Sequence, residues 1–188
     1  MALFRRSGEK HSLEIAMTGV KLGDRLLQIG CADVALAAAL SAKAGMSGRA
    51  ALLAAGDEDV TRASRAARRA GVLMEVMKAP LDKFPYDDAS FDLIVVNSQD
   101  GLIAAMKPEQ RVATLQEARR VLVPRGRIIV IERAPRAGLG ALLSRSPVVT
   151  DPHYQNSGGA ATALRAEGFT AVRPLAERDG LSFFEGIA

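Results

Sequence analysis

The stretch LLQIGCADV, Leu26 to Val34, decides how the rest of the chain is read. Leu26 to Ile29 is an apolar run of strand length, Gly30 opens a tight turn, and Asp33 stands where a carboxylate caps a helix over Val34 to Lys43. Gly45 then stops that helix. Strand, turn and helix in this order open a β-α-β unit. In an open α/β sheet a ligand lies outside the carboxyl ends of the strands, and a glycine in the first turn lets the backbone approach it. Gly30 is placed for that role.

The same unit recurs outward from this point. AALLAA (50–55) has the pattern of a strand, Asp57 or Asp59 is positioned as an N-cap, and Val60 to Ala70 has helical spacing that ends at Gly71. VLMEVM (72–77) and FDLIVVN (91–97) follow as strands. PEQRVATLQEARRVL (108–122) is a helix with Pro108 in its first turn, and GRIIVIE (126–132) is another β-branched strand. Towards the N-terminus, Leu13, Ala16, Met17 and Val20 recur at helical spacing over Ser12 to Val20, until KLGDR breaks the pattern. Towards the C-terminus, GGAATALRAEGF is a helix ending at Gly168. Two β-like segments, TAVRPLAE and LSFFEGI, are joined by RDG as an antiparallel hairpin at the sheet edge. Alternation of this kind predicts an α/β, Rossmann-like, doubly wound sheet, mostly parallel and covered on both faces. No linker divides the chain, so 1–188 is expected to form one domain.

Composition narrows the function. A balance of 48% hydrophobic and 24% charged residues excludes the disordered class. The net charge of +4 is spread along the chain, and 4% aromatic content with no Trp leaves few side chains to stack nucleobases, which argues against a nucleic-acid partner. No run of 18 apolar residues is free of charge and the N-terminus lacks a signal-peptide core, so a cytoplasmic protein without a membrane span is expected. Cys31, the single cysteine, can form no internal disulfide and offers no metal-ligand pair.

The block FPYDDASFDLIVVNSQDGLIAAMKPEQRVATLQEARRVLVPRGRIIVIE (84–132) combines four features in order: a Pro-aromatic-acidic turn, a Ser-Phe-Asp strand start, a helix ending in Arg-Val-Leu, and a Pro-x-Gly turn into the next strand. It resembles the class I S-adenosylmethionine-dependent methyltransferases, in particular the branch similar to ubiquinone/menaquinone-biosynthesis methyltransferases. KLGDRLLQIGC and LRAEGF sit where that family has its first strand and its last helix, so nearly the whole chain is covered. The resemblance implies a seven-stranded sheet with the last strand antiparallel. It also implies S-adenosylmethionine as cofactor and methyl transfer to a small-molecule acceptor.

The chain departs from the family at its cofactor motif. The first strand of the family ends in an acid followed by Gly-x-Gly-x-Gly; here Gln28 replaces the acid, Gly30 is kept, and Ala32 and Val34 replace the later glycines. The ribose-binding acid corresponds either to Ala55, which leaves Asp57 as a helix cap, or to Asp57 itself. The adenine-contacting acid corresponds to Pro80, with Asp82 as a shifted substitute. The cofactor-binding set implied is Gln28, Gly30, Cys31, Ala32, Asp57, Leu81, Asp82, Asn97 and Ser98. Each missing acceptor forfeits a hydrogen bond of about 1–3 kcal/mol, so weak cofactor binding is expected. The competing expectation is a degenerate, non-catalytic member of the fold that serves as a binding or regulatory subunit.

Three further groups complete the reading. His153 and Tyr154, in TDPHYQNSGG, follow the fifth strand where a general base or acceptor-orienting group belongs, although the same residues suit an ordinary polar loop. Cys31 has no fixed His partner, which favours a small buried thiol over a nucleophile. Arg62, Arg65, Arg68 and Arg69 suit the solvated face of an amphipathic helix better than a phosphate stripe. Arg125, Arg127, Arg133 and Arg136 flank the fifth strand and hint at an anionic partner. In-line methyl transfer requires positioning more than any one side chain, so no catalytic residue is assigned.

Overall fold

The computed structural model describes residues 10–134 and 151–188. Its elements are α1 (Ser12–Thr18), β1 (Arg25–Ile29), α2 (Val34–Ala44), β2 (Arg49–Ala54), α3 (Asp57–Ala70), β3 (Glu75–Lys78), β4 (Phe91–Ser98), α4 (Leu102–Ala105), α5 (Pro108–Val121), β5 (Leu122–Arg133), α6 (Pro152–Asn156), α7 (Gly159–Ala166), β6 (Thr170–Arg178) and β7 (Leu181–Ile187). The strands form one seven-stranded sheet in the order β3-β2-β1-β4-β5-β7-β6. Pairing is parallel from β3 through β5, and β7 runs antiparallel to both β5 and β6. The doubly wound sheet with an antiparallel last strand is therefore as expected.

Strand side chains alternate between faces, and the sheet is covered on both. Leu27, Ile29, Ile94, Val96, Ile128 and Val130 face one core cluster that includes Leu115 and Ala118 of α5 and Leu164 of α7. Leu26, Leu93, Val95, Ile129 and Ile131 face the other, packed with Leu36 and Leu40 of α2. A small third cluster joins Cys31, Ala37, Leu52, Ala54 and Ala63 where α2 and α3 meet β2.

Two ionic anchors fix the ends of this framework. Arg120 on α5 donates to the Tyr86 carbonyl (2.9 Å), to Asp88 Oδ1 (2.7 Å) and to both oxygens of Glu117 (2.7 Å each). Glu117 in turn accepts from the Phe84 amide at 2.7 Å. The Pro-aromatic-acidic turn is thus tied to the Arg-Val-Leu helix end, which gives a physical reason for the two to occur together. At the far side, buried Glu185 on β7 binds Arg127 (2.9 Å) and Arg173 (2.8 Å), and Arg127 also donates to the Thr18 carbonyl at the end of α1 (2.9 Å).

Several boundaries differ from the sequence expectation. Helix α1 ends at Thr18 rather than Val20, because Gly19 adopts a left-handed conformation and closes it. Neither Asp57 nor Asp59 caps α3: Gly56 holds the N-cap, and Asp57, Glu58 and Asp59 form the first turn, where the helix dipole favours negative charge. Strand β3 starts at Glu75 instead of Val72, and Leu73, 80% exposed, belongs to the connection. Strand β5 begins at Leu122, with Arg125 at φ 66 and its N–H bonded to the Ala188 carbonyl. The polar stretch around Tyr154 contains α6 rather than only loop. Arg125, Arg127 and Arg133 lie within β5 instead of flanking it, and Arg136 lies outside the described residues.

Candidate functional site at the carboxyl edge of the sheet

The carboxyl ends of β1, β2, β4 and β5 share one edge of the sheet, where the turn that follows β1 packs against the end of β4. Gly30 has φ +92, and a Cβ built there would lie 2.5 Å from the Asn97 carbonyl oxygen and 2.9 Å from Leu102 Cδ2. Both the positive φ and the close approach to β4 require glycine here. Gln28 is 1% exposed and its Nε2 donates to the Gly30 carbonyl at 3.1 Å, so the carboxamide braces the turn from within. An acid at this position could not make that bond, since an ionised carboxylate only accepts. Gln28 Oε1, Asn97 Nδ2 and Gln99 Nε2 are buried nearby with no hydrogen-bond partner among the described residues.

The expected N-cap on α2 is present, with Asp33 Oδ1 accepting from the amides of Ala35 (2.9 Å) and Leu36 (3.1 Å). Ala32 and Val34 are half-buried around it. Cys31 is a buried free thiol. Burial pushes it up to about 12, reinforced by the nearby carboxylates of Asp59 and Asp100 and opposed by Arg62. Such a thiol stays protonated and is a poor nucleophile. Arg62 donates to the Cys31 carbonyl (2.8 Å) and to Asp59 (2.6 Å), and Arg65, Arg68 and Arg69 are exposed, which is the solvated face anticipated for this helix.

The remaining predicted residues divide by location. Asn97 and Ser98 are buried at the end of β4, where Ser98 Oγ accepts from the Ile103 amide at 3.0 Å and so starts α4. Asp57 has a side chain 84% exposed and pairs with Lys78 Nζ at 2.6 Å, while the end of β2 itself carries only Ala54, Ala55 and Gly56. Leu81 is buried in the core cluster that holds Phe84 and Tyr86, and Asp82 is exposed. The backbone of His153 lies in α6, and its side chain is outside what is described. Tyr154 is buried, and its hydroxyl donates to Glu132 Oε1 at 2.6 Å. Among the described residues no group of three or more His, Cys, Asp and Glu could hold a metal ion.

Two residues at this edge had no place in the sequence reading. Glu132 ends the core-facing run of β5 opposite Ser98, and burial raises its carboxyl above the ordinary range, partly offset by the hydrogen bond from Tyr154. Its position at a strand end was visible in GRIIVIE; its partner was not. His11, at the N-cap position of α1, is buried with Nε2 3.8 Å from Asp33 and Nδ1 3.5 Å from Glu14. The Glu14 spacing is local, but the approach to Asp33 is a tertiary contact without a sequence signal.

An open groove of about 860 Å³ lies at the opposite, amino edge, lined among others by Asp88, Arg119, Arg120, Glu167 and Gly168. It is remote from the strand ends at which this fold class binds ligands, so the carboxyl edge remains the candidate site.

Known proteins show the same architecture. A SAM-dependent methyltransferase from Aquifex aeolicus superposes with a TM-score of 0.71 at 19% identity, covering 94% of this chain and 88% of that one. The S-adenosylmethionine-dependent methyltransferase SibL, in its apo form, gives 0.69 at 23% identity over 93% of this chain, which spans 52% of SibL. The methyltransferase in a complex with the Trm112 activator from Haloferax volcanii gives 0.66 at 18% identity, covering 97% and 89%. No curated protein matches the chain. At these identities the likeness is one of fold. A family model described as a methyltransferase domain matches residues 27–130, more than half of the chain, and the chain belongs to that family.

Proposed function

We propose that this chain is a single-domain, cytoplasmic enzyme that transfers a methyl group from S-adenosylmethionine to a small-molecule acceptor, with the cofactor at the turn after β1. The observation that carries the reading is the charge around that turn. Asp33 caps the adjoining helix, Asp59 pairs with the Arg62 guanidinium that also holds the Cys31 carbonyl, and Asp100 accepts from the amide of Leu102, whose side chain packs on Gly30. A sulfonium centre is favoured beside such carboxylates. Gly30, Cys31 and Ala32 would line its approach with Gln28 bracing them, and Asn97 and Ser98 would flank it from β4. Asp57 would meet the ribose, and Leu81 and Asp82 the adenine. When bound, the cofactor supplies an electrophilic methyl group for in-line displacement, so the chain's own task is to orient the acceptor and exclude water.

The fit is partial. No buried carboxylate stands at the end of β2, and Asp57 must exchange Lys78 for the ribose hydroxyls. One charge-assisted hydrogen bond is worth about 1.5–3 kcal/mol, so affinity roughly tenfold or more below that of a complete motif follows. The same observation favours the second reading, a non-catalytic binding subunit. A thermal-shift titration with S-adenosylmethionine, repeated with S-adenosylhomocysteine, separates the two. Saturating stabilisation, about 2.7 kcal/mol at a hundredfold excess over Kd, supports the enzyme. No shift at millimolar ligand supports the subunit.

A further inference from the structure

Glu185 is buried and Glu132 half-buried on paired strands, yet the two carboxyl groups are treated differently. Glu185 is clamped by two arginines. Glu132 has no ion pair among the described residues; it accepts from the Tyr154 hydroxyl at 2.6 Å. Arg111 on α5, whose charge favours the ionised form of Glu132, makes its own bonds elsewhere. It donates to Asp151 (3.0 Å) and to the Met106 carbonyl (3.0 Å), and its guanidinium lies 4.4 Å above the Tyr154 ring. Arg133 is held away by the Gln99 carbonyl at 2.8 Å. The groups that face Glu132 are therefore Tyr154 from α6, Arg111 from α5, the start of α7, and Ser98 across the β4 register.

A half-buried carboxylate with no cation in ion-pair contact costs stability and persists where it serves a purpose. This one stands at the carboxyl end of β5, next to the β4 end at which the cofactor is proposed to bind. We infer that Glu132 takes the proton from a methyl acceptor whose nucleophilic oxygen or nitrogen still carries hydrogen, and that Tyr154 is the positioning residue that holds its carboxylate in place. The inference rests on the cofactor reading above. In the step, the O–H or N–H bond breaks towards Glu132, the acceptor's lone pair takes the methyl carbon, and the carbon–sulfur electron pair stays on sulfur. The products are the methylated acceptor, a neutral thioether and protonated Glu132, so charge balances. Acceptors that ionise unaided, such as carboxylates, gain nothing from this base.

The test uses tritium-labelled S-adenosylmethionine with a panel of phenols, amines and carboxylates, across pH, on the wild-type chain, Glu132→Gln and Tyr154→Phe. Calorimetry with S-adenosylhomocysteine and circular dichroism accompany each protein. Phenols or amines are expected to be methylated, with kcat for Glu132→Gln lower by about 10²–10⁴ and cofactor affinity within about twofold of wild type. That deficit should shrink at high pH, where the acceptor ionises itself. Tyr154→Phe removes a bond that stabilises the ionised carboxylate, so it should move the acid limb of the kcat profile to higher pH, a shift that a purely structural peg would not cause. If Glu132→Gln fails to fold, that displaced limb decides alone. Unchanged kcat in Glu132→Gln, an unmoved limb in Tyr154→Phe, or methylation of carboxylates only would overturn the inference. So would S-adenosylhomocysteine binding normally while no acceptor of the panel is methylated. A flat calorimetric trace with folded wild-type chain would instead overturn the cofactor reading on which it rests.

Discussion

Gly30→Ala is the substitution that most sharply probes the turn. An L-residue at φ +92 carries about 1–2 kcal/mol of backbone strain. The added methyl would stand 2.5 Å from a backbone oxygen and 2.9 Å from Leu102, contacts that force the turn and β4 apart for about 1–3 kcal/mol more. The expected loss is about 2–5 kcal/mol, a large part of the roughly 5–15 kcal/mol by which a domain is stable. Gly71→Ala is the control, because Gly71 also has positive φ (+66) but nothing within 4 Å of a built Cβ, so only the conformational part should appear. Urea unfolding of both variants, fitted with a common m-value, measures the difference. If Gly30→Ala costs no more than Gly71→Ala, the close approach of the turn to Asn97 is not a property of the folded chain.

Cys31→Ser should leave any methyl transfer within a few-fold of wild type, and the thiol should react slowly with a disulfide reagent at mildly alkaline pH, because its ionisation is pushed up to about 12. Fast labelling in the folded state would contradict its burial. Glu117→Gln should cost about 1–2 kcal/mol at neutral pH by chemical denaturation, since it weakens the clamp on Phe84 and Arg120 at a partly exposed site. Glu117 is held below the usual carboxylate range by Arg120, so this contribution is present above the ordinary carboxyl pKa and is lost as pH falls through the lowered value. Glu132 has the opposite sign. Its carboxyl is raised by burial, so it destabilises the fold as pH rises from the ordinary carboxyl range through the folded value, and Glu132→Gln should flatten that part of the stability curve. A curve unchanged by the substitution would mean that the carboxyl is not desolvated.

The alternation of apolar runs and helical spacing was enough to read the doubly wound sheet, and Asp33 was legible as a cap because one acid precedes one helix. Asp57 was not. Three acids in a row before a helix give no local signal for which residue starts it, and the backbone chose Gly56 as the N-cap, leaving all three in the first turn. The closing hairpin was legible, but its order in the sheet was harder. In retrospect Pro174 marks β6 as the edge, since proline cannot donate to an inner ladder, while the adjacent Phe183 and Phe184 of β7 suit the covered position between β5 and β6. At the site, Gln28 read as a lost acid, and only its bond to the Gly30 carbonyl shows it bracing the turn. The pairing of Glu132 with Tyr154 spans 22 positions and depends on how α6 returns to the sheet, which no local pattern encodes.

The central claim is that a sulfonium cofactor is held at the carboxyl edge by the turn after β1. The most direct measurement is the amide NMR spectrum of the wild-type chain titrated with S-adenosylmethionine. The account predicts saturable shifts centred on Gly30 to Asp33 and on Asn97 to Gln99, with the amino-edge groove around Arg119 and Gly168 unmoved. Shifts centred on that groove, or none at millimolar ligand, would contradict it.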